Sequence, residues 1–446
     1  MRVSINHPEM FATVFESVTK SKLHRPITGI STDSRELHNG DLYIAIKGSR
    51  TDGHQFLKQV KDTGAAAALV CETNEKIDIQ QIKVNDTLDT IGKISNKWRM
   101  TFDIPIIGIT GSNGKTSTKE LLLHVLSSKF KMHATKGNFN TNIGLPLTLL
   151  GLDPDHQISI LEMGASAPGE IEELCNIAKP THGIITNIEP AHLEGFGSME
   201  NIAYEKGALF RSLHKGISFV NQADAMVSNI PFSGKRVTYG LDPDCDFPAD
   251  IFHEDDGTLT LILDTNIIPT GSHNLSFIKN CIAVSAISIS LGIDWNALKK
   301  KLQSFSSPQG RCFVKQINDI TVIDDTYNAN LSSSLAALDY LNAFSGDGRR
   351  IFVFGDMLEL GPTTNDQHQK IGERCSELGL DGVFTIGEHT KHTNVVINNG
   401  IMNKHFDTKE SMIFSLKNFL KCDDKILFKG SRGMAMDKVI EGVFEN

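Results

Sequence analysis

No Cys-x-x-Cys pair occurs in the chain, and its seven cysteines (Cys71, Cys175, Cys245, Cys281, Cys312, Cys375 and Cys422) are scattered and odd in number. Neither a disulfide framework nor a zinc site is expected, and a reducing cytoplasm fits best. Long runs of lysine or arginine are also missing, and the net charge of -9 gives no support for a nucleic-acid surface. The N-terminal MRVSINHPEMF has no apolar core of signal-peptide length, and the most apolar helix candidate, Ile278 to Ile293, is interrupted by Asn280, several serines and Gly292. Neither a signal peptide nor a membrane span is expected. No short-period repeat and no low-complexity segment is visible.

Core material, by contrast, is plentiful. With 446 residues, 40% hydrophobic and 22% charged, the chain exceeds what one core organises and is unlike a disordered one. Two or three domains of about 100–200 residues each are expected. The stretch that organises them is Ile104 to Thr118, IPIIGITGSNGKTST. A short β-branched apolar run leads into Gly111, Ser112, Asn113 and Gly114, whose backbone N–H groups can converge at the start of a helix. Such a turn attracts anions. Lys115 adds a point charge for the outer phosphates, and the Thr116 hydroxyl stands where a P-loop presents a Mg²⁺ ligand. Five residues rather than four separate Gly108 from Gly114. A strand-turn-helix whose glycines merely make the turn is the bland alternative; nucleotide triphosphate binding is the stronger reading.

The fold class is α/β throughout. Residues 1–100 read as a small α/β unit, with strand candidates at Asp41 to Ile46 and Ala66 to Val70. Thr32-Asp33-Ser34-Arg35, Lys47-Gly48 and Asp52-Gly53-His54 put hydroxyl, cationic and imidazole groups on its turns, where either a phosphorylated ligand or ordinary capping explains them. Residues 101–307 alternate strand and helix, the pattern of a mostly parallel sheet covered on both faces. Residues 235–269, with short alternating strands, read as an antiparallel flap. Ser306 to Gly310 is the clearest linker. Residues 308–446 begin another alternation, a Rossmann-like unit without a phosphate loop.

Chemistry-bearing groups fall at the ends of these strands, where open parallel sheets bind ligands. Asn138, Asn140, Thr141 and Asn142 follow the phosphate loop; for Asn142 a helix cap is the preferred reading. Glu162 ends the strand SILEMG and offers a hard oxygen for Mg²⁺, with a solvated strand end as its alternative. His192 lies in the glycine-punctuated NIEPAHLEGFG, and Lys206, in NIAYEKGALF, reads by spacing alone as a solvated helix lysine. Asp324 to Asn330 ends a strand with two carboxylates and two amides, suited to a cation or a sugar hydroxyl. Lys429 and Arg432 sit in KGSRGMAM and can take a carboxylate or phosphate, with an exposed basic turn as the plain alternative.

Taken together and in order, TGSNGKTSTKE, GNFNTNIGLPLTLL, EMGAS, TNIEPAHLEGFGS, EKGALF, IDDTYNAN, FGDMLELG and KGSRGMAM resemble the ATP-dependent muramyl ligases, which build the peptide of the bacterial cell-wall precursor. The likeness spans nearly the whole chain. It implies three domains: a UDP-sugar-binding one (1–100), an ATP-binding P-loop one (101–307) and a C-terminal Rossmann-like ligase one (308–446). DDTYNAN, GDMLELG and KGSRGMAM imply the member that joins D-alanyl-D-alanine to UDP-N-acetylmuramoyl-tripeptide through an acyl phosphate; a monomer is expected.

Carried over by position, the resemblance gives Gly111 to Ser117 to the ATP phosphates, with Thr116 and Glu162 as ligands of one Mg²⁺. It makes His192 and Lys206 ligands of a second Mg²⁺, with Lys206 carbamylated, and so replaces the bland reading of that lysine. Lys115, His192 and Lys206 become the catalytic set. Asn280, Arg311 and Asp325 resemble the adenine, phosphate and ribose contacts. Ser34, Arg35, Lys47 and His54 resemble the UDP contacts, and Asn138, Asn140, Thr141, Tyr327, Asn328, Asn330, Lys429 and Arg432 the remaining substrate contacts. Three positions depart from the family pattern: five residues separate His273-Asn274 from Asn280, Leu331 follows Asn330 in place of proline, and Ser112 replaces a threonine. A P-loop ATPase or small-molecule kinase is the rival class; it predicts hydrolysis or phosphoryl transfer with no amide product.

Overall fold

The computed structural model describes residues 2–48, 51–191, 193–344, 346–398 and 400–445. Among these, the strands form three sheets, one to each of three α/β domains. The first comprises β1 (Arg2–Ser4), β2 (Gly29–Ser31), β3 (Leu42–Ile44), β4 (Ala67–Val70) and β5 (Gln80–Lys83), in that spatial order. Only the edge strand β1 is antiparallel to its neighbour.

The second sheet contains β6 (Ile106–Thr110), β7 (Met132–Ala134), β8 (Ile158–Glu162), β9 (His182–Ile185), β10 (Ile217–Asn221), β11 (Lys235–Gly240), β12 (Phe247–His253), β13 (Leu259–Leu263) and β14 (Asn266–Ser272). Their order is β14-β13-β12-β11-β10-β9-β6-β8-β7. β6 and β8 are buried along their whole length, as continuous apolar runs are when helices cover both faces of a parallel sheet. β8 lies on one side of β6 and β9 on the other, so the chain's progression reverses at β6. Loops diverge at the carboxyl end of such a strand and leave a crevice.

The third sheet holds β15 (Phe313–Ile317), β16 (Ile320–Asp325), β17 (Arg350–Gly355), β18 (Gly382–Ile386), β19 (Met402–Phe406) and β20 (Lys425–Lys429). Its order is β15-β16-β20-β17-β18-β19, parallel except for the β15–β16 hairpin.

Two expectations need correction. Residues 235–269 are not an antiparallel flap: β11 runs parallel to β10, and β12 pairs parallel with β11 before the chain turns antiparallel through β13 and β14. The segment extends the main sheet, because alternation along a strand encodes a buried face but not the partner it pairs with. Asn142 does not cap the following helix, Gly144–Leu150, which starts at Ile143 with no side-chain cap. The short strands β1, β2, β5, β7 and β19, three to five residues each, escape pattern reading because so few residues show no period.

The two domain seams differ in kind. One apolar core runs without a break from Phe11 and Phe15 in the first domain through Trp98 to Leu145, Leu174 and Leu209 in the second. Arg99, at the end of the helix Thr87–Arg99, is buried and donates to the carbonyls of Ala178 (3.0 Å), Lys179 (3.3 Å) and Phe102 (2.7 Å). It thereby plugs the C-terminal end of the helix Glu170–Ala178, where a cation is favoured. The third domain has separate cores on the two faces of its own sheet. It meets the second mainly across polar groups around a cavity, with the His273 and Phe344 rings 5.0 Å apart at its edge.

Candidate active site

The phosphate loop leaves β6 with Gly111 at φ +143°, where a Cβ would fall 1.9 Å from Thr186 Oγ1. Only glycine permits so close an approach to the end of β9. That end braces the loop: the Asn113 N–H donates to Asn187 Oδ1 (2.9 Å) and the Thr186 hydroxyl to the Asn113 carbonyl (2.6 Å). Gly114, at φ +80°, then turns the chain into the helix Lys115–Leu126. The Lys115 ammonium lies inside the loop and donates to the carbonyls of Gly111 (2.7 Å) and Ser112 (3.2 Å). Burial pulls its pKa down, the Arg311 charge adds to that, and Glu162 opposes it.

Thr116 and Glu162 meet as their positions on the loop and on β8 require. The Thr116 hydroxyl donates to Glu162 Oε2 (2.9 Å), and Asn140 Nδ2 donates to Glu162 Oε1 (2.7 Å). Glu162 is only 3% exposed, so it is no solvated strand end. Thr135 accepts the Glu162 N–H at 3.0 Å, and its carbonyl accepts from the buried Lys119 at 2.8 Å.

Across the crevice, Arg311 Nη2 of the third domain donates to Thr116 Oγ1 at 3.0 Å, and its guanidinium lies 3.8 Å over the Tyr327 ring. Its buried Nε has no hydrogen-bond partner among the described residues, a donor left for an incoming acceptor. Asp325, at the end of β16, accepts from the Cys312 N–H (3.1 Å) and the Lys429 ammonium (2.5 Å). Lys429 also donates to the Asn328 carbonyl at 3.0 Å. Its charge is thus spent on Asp325 rather than held out for a substrate.

These groups line one cavity of about 780 Å³ between the second and third domains. Asn138, Asn140, Thr141, Ser117 and Asn280 border it, as do Arg311, Asp325, Tyr327, Asn328 and Asn330. The Asn280 amide sits beside the loop, 3.3 Å from where a Cβ on Gly114 would be. Asn330 reaches the cavity but caps the helix Leu331–Ala343, accepting from the Ser333 N–H at 2.9 Å.

Other expected residues lie elsewhere. Ser34, Arg35, Lys47 and His54 remain on first-domain turns away from this cavity. There, Arg35 is paired with Asp33 at 2.6 Å, and His54 bridges Asp52 (2.7 Å) and the Cys71 N–H (2.9 Å). Arg432 is exposed and pairs with Asp437 at 3.2 Å. His192 falls outside the described residues.

Lys206 is 2% exposed, which overturns the solvated-lysine reading. Its ammonium faces the Phe196 ring, 6.0 Å from the centroid, and its pKa is pulled down to about 7 by burial and then by the Lys115 charge, with Glu205 opposing. The helix Met199–Ser212 turns this side inward, and short-range pattern does not reveal it. Glu205, missed from the sequence, accepts from the N–H groups of Gly169 and Ile171, both at 2.6 Å, and fixes the start of the helix Glu170–Ala178.

Among the described residues no group of three or more His, Cys, Asp or Glu side chains is arranged to hold a metal ion. Thr116 and Glu162 nevertheless form a hard-oxygen pair of the sort that takes Mg²⁺ when substrate phosphates and water complete its shell.

Three family models match the chain in succession: "Mur ligase family, catalytic domain" over residues 26–99, "Mur ligase middle domain" over 109–287, and "Mur ligase, glutamate ligase domain" over 310–432. A UDP-N-acetylmuramoyl-tripeptide--D-alanyl-D-alanine ligase of Synechocystis sp. is 38% identical, with 95% of this chain and 93% of the relative covered. The ligase of the same name in Escherichia coli is 34% identical over 94% of each chain. Among solved structures, MurF from Acinetobacter baumannii superposes with a TM-score of 0.88 at 30% identity, covering 98% of both chains. MurF from Thermotoga maritima in complex with ADP gives a TM-score of 0.83 at 29% identity, covering 93% of this chain and 97% of that one. With all three domains matched in order and relatives this similar along its length, the chain belongs to the Mur ligase family.

Proposed function

We propose that this protein joins D-alanyl-D-alanine to UDP-N-acetylmuramoyl-tripeptide at the expense of ATP, forming an amide bond in the peptidoglycan precursor. The observation that carries the reading is the meeting of Lys115, Thr116 and Glu162 with Arg311 of another domain around one cavity. Relatives similar over their full length bear this activity in their names.

A carboxylate resists an amine because it is anionic and has no good leaving group. In the reading offered here, an oxygen of the tripeptide's terminal carboxylate attacks the γ-phosphorus, ADP departs, and an acyl phosphate results. The neutral amine of D-Ala-D-Ala then attacks the acyl carbon, phosphate leaves with the bonding electrons, and the proton lost from nitrogen passes to the departing phosphate or to water. The Gly111 to Ser117 loop cradles the triphosphate, and Lys115 and Arg311 offset charge on the transferring oxygens. Asn280 takes the adenine and Asp325 the ribose, while Asn138, Asn140, Thr141, Tyr327 and Asn328 border the acceptor peptide. Ser34, Arg35, Lys47 and His54 hold the UDP end, and Arg432 contacts an anionic group of a substrate. Thr116 and Glu162 hold one Mg²⁺, and His192 with a modified Lys206 a second. Bound there, the metal supplies charge neutralisation for the phosphoryl oxygens.

Carbamylation of Lys206 is supported by its chemistry. A buried amine whose pKa lies near 7 is substantially neutral at physiological pH. Its lone pair can add to CO₂ with loss of a proton, turning a cation into an anion able to ligate metal. A gain of one CO₂ by the intact protein in native mass spectrometry, absent from Lys206→Met, is expected. The domain limits 1–100, 101–307 and 308–446, a cytoplasmic location and a monomeric state complete the reading. The free state of all seven cysteines supports the location.

The test is phosphate release by purified protein given ATP, Mg²⁺ and UDP-MurNAc-tripeptide, with and without D-Ala-D-Ala. Release that depends on the dipeptide and yields an amide product is expected. Dipeptide-independent hydrolysis would favour the ATPase reading.

A further inference from the structure

The third domain touches the phosphate loop at a second place, remote in sequence from Arg311. Asn330 Nδ2 donates to Asn113 Oδ1 at 2.8 Å. Asn113 Nδ2 in turn faces Ser332 Oγ (2.9 Å) and Glu189 Oε2 (2.5 Å), and the Ser332 hydroxyl donates to the same Glu189 oxygen at 2.7 Å. Glu189 is itself locked to the loop, since its N–H donates to Ser112 Oγ (2.9 Å) and its carbonyl accepts the Ser112 hydroxyl (2.8 Å). Four side chains from three segments thus satisfy one another around Asn113. The Asn113 backbone is already pinned by Asn187 and Thr186. What remains is a rigid loop whose one outward amide is gripped by the first turn of the helix Leu331–Ala343.

We propose that Asn330 and Ser332 are positioning residues that act through Asn113 and Glu189, seating the third domain on the phosphate loop so that Arg311 arrives at Thr116. The Asn330 side chain is engaged at both ends, its oxygen capping the helix and one N–H of its amide holding Asn113. The grip consists of hydrogen bonds between partly exposed groups, each worth little alone, so it can form and break within a catalytic cycle. Two clamps, at Asn113 and at Thr116, fix the third domain's orientation over the loop where a single contact would leave it free to pivot.

This inference rests on the ligase reading, and the experiment separates the two. Asn330→Ser keeps a good helix cap but cannot reach Asn113, and Ser332→Ala removes the hydroxyl from a position that does not cap the helix. Both variants are expected to melt like the wild type and to lose 5- to 30-fold in kcat, with the KM for D-Ala-D-Ala changed less than twofold. Glu189→Ala combined with Ser332→Ala should be no slower than the worse single variant, since the two share one contact. Small-angle scattering with an ATP analogue and UDP-MurNAc-tripeptide should show a larger radius of gyration for the variants than for the wild type. A tenfold rise in dipeptide KM at unchanged kcat would make Asn330 a direct contact and overturn the proposal. So would wild-type rates, or losses that multiply in the double variant. Failure of the wild type itself to form amide would remove the ligase reading, while the scattering comparison still decides whether the clasp seats the domain.

Discussion

The seam between the first and second domains and the seam between the second and third are built from opposite materials. At the first, Trp98, Leu145 and Leu174 belong to a single apolar core, and Arg99 is sunk into the neighbouring helix end. Apolar area removed from water is non-directional and expensive to re-expose, at roughly 25 cal/mol per Å². At the second, the contacts that border the cavity are Arg311 to Thr116, Asn330 to Asn113 and Ser332 to Glu189, all polar, with one ring contact, His273 to Phe344 at 5.0 Å, beside them. Polar groups exchange protein for water at small net cost. The molecule therefore divides mechanically into a two-domain body and a one-domain jaw, and the chemistry sits where the joint can open.

The sharpest way to break this contrast is to damage each seam and ask which property falls. Lys115→Ala, at the mouth of the jaw, is expected to cut amide formation by roughly 10³-fold or more with little change in melting, read by phosphate release and calorimetry. Arg311→Ala should cost roughly 10²-fold in kcat, again with an unchanged melting profile, because it removes a charge-assisted contact that only the seated jaw makes. Trp98→Ala should do the reverse. Loss of about 3–5 kcal/mol is expected from the shared core, with the first two domains destabilised together and activity per folded molecule retained. A calorimetric profile in which only the first domain's transition moved would refute the common core.

The smallest expected effect concerns pH. Burial favours the neutral form of Lys206 and depresses its pKa from 10.5 to about 7. Between these values the unfolded chain binds the proton that the folded chain has released, so stability rises with pH across that window. In CO₂-free buffer the wild type should melt a few degrees higher at pH 9 than at pH 7, and Lys206→Met should flatten the difference. An equal slope in both would show that Lys206 titrates normally.

How much of this the sequence discloses depends on range. The phosphate loop, its strand and its helix are legible because every residue that makes them is local, down to Gly111 and Gly114. Glu162 is legible as a strand end, but its pairing with Thr116 and Asn140 needs the sheet order. Lys206 is hidden because inward and outward faces of a helix so mixed in composition look alike until its neighbours are placed. Glu189 stands within a motif quoted from the sequence, yet its partner Ser332 lies 143 residues away, beyond any periodicity. Lys429 shows the converse: a basic residue beside glycines suggests an anion pocket, and the anion it meets is the protein's own Asp325.

The helix Leu275–Ser290 restricts the lengths that the chain tolerates. Asn274 caps it, accepting from the Phe277 N–H at 3.1 Å, and Asn280 reaches Gly114 from the same helix. Each residue inserted or deleted between them would swing the amide by about 100° around the axis. Chain length between cap and amide is therefore frozen by rotation.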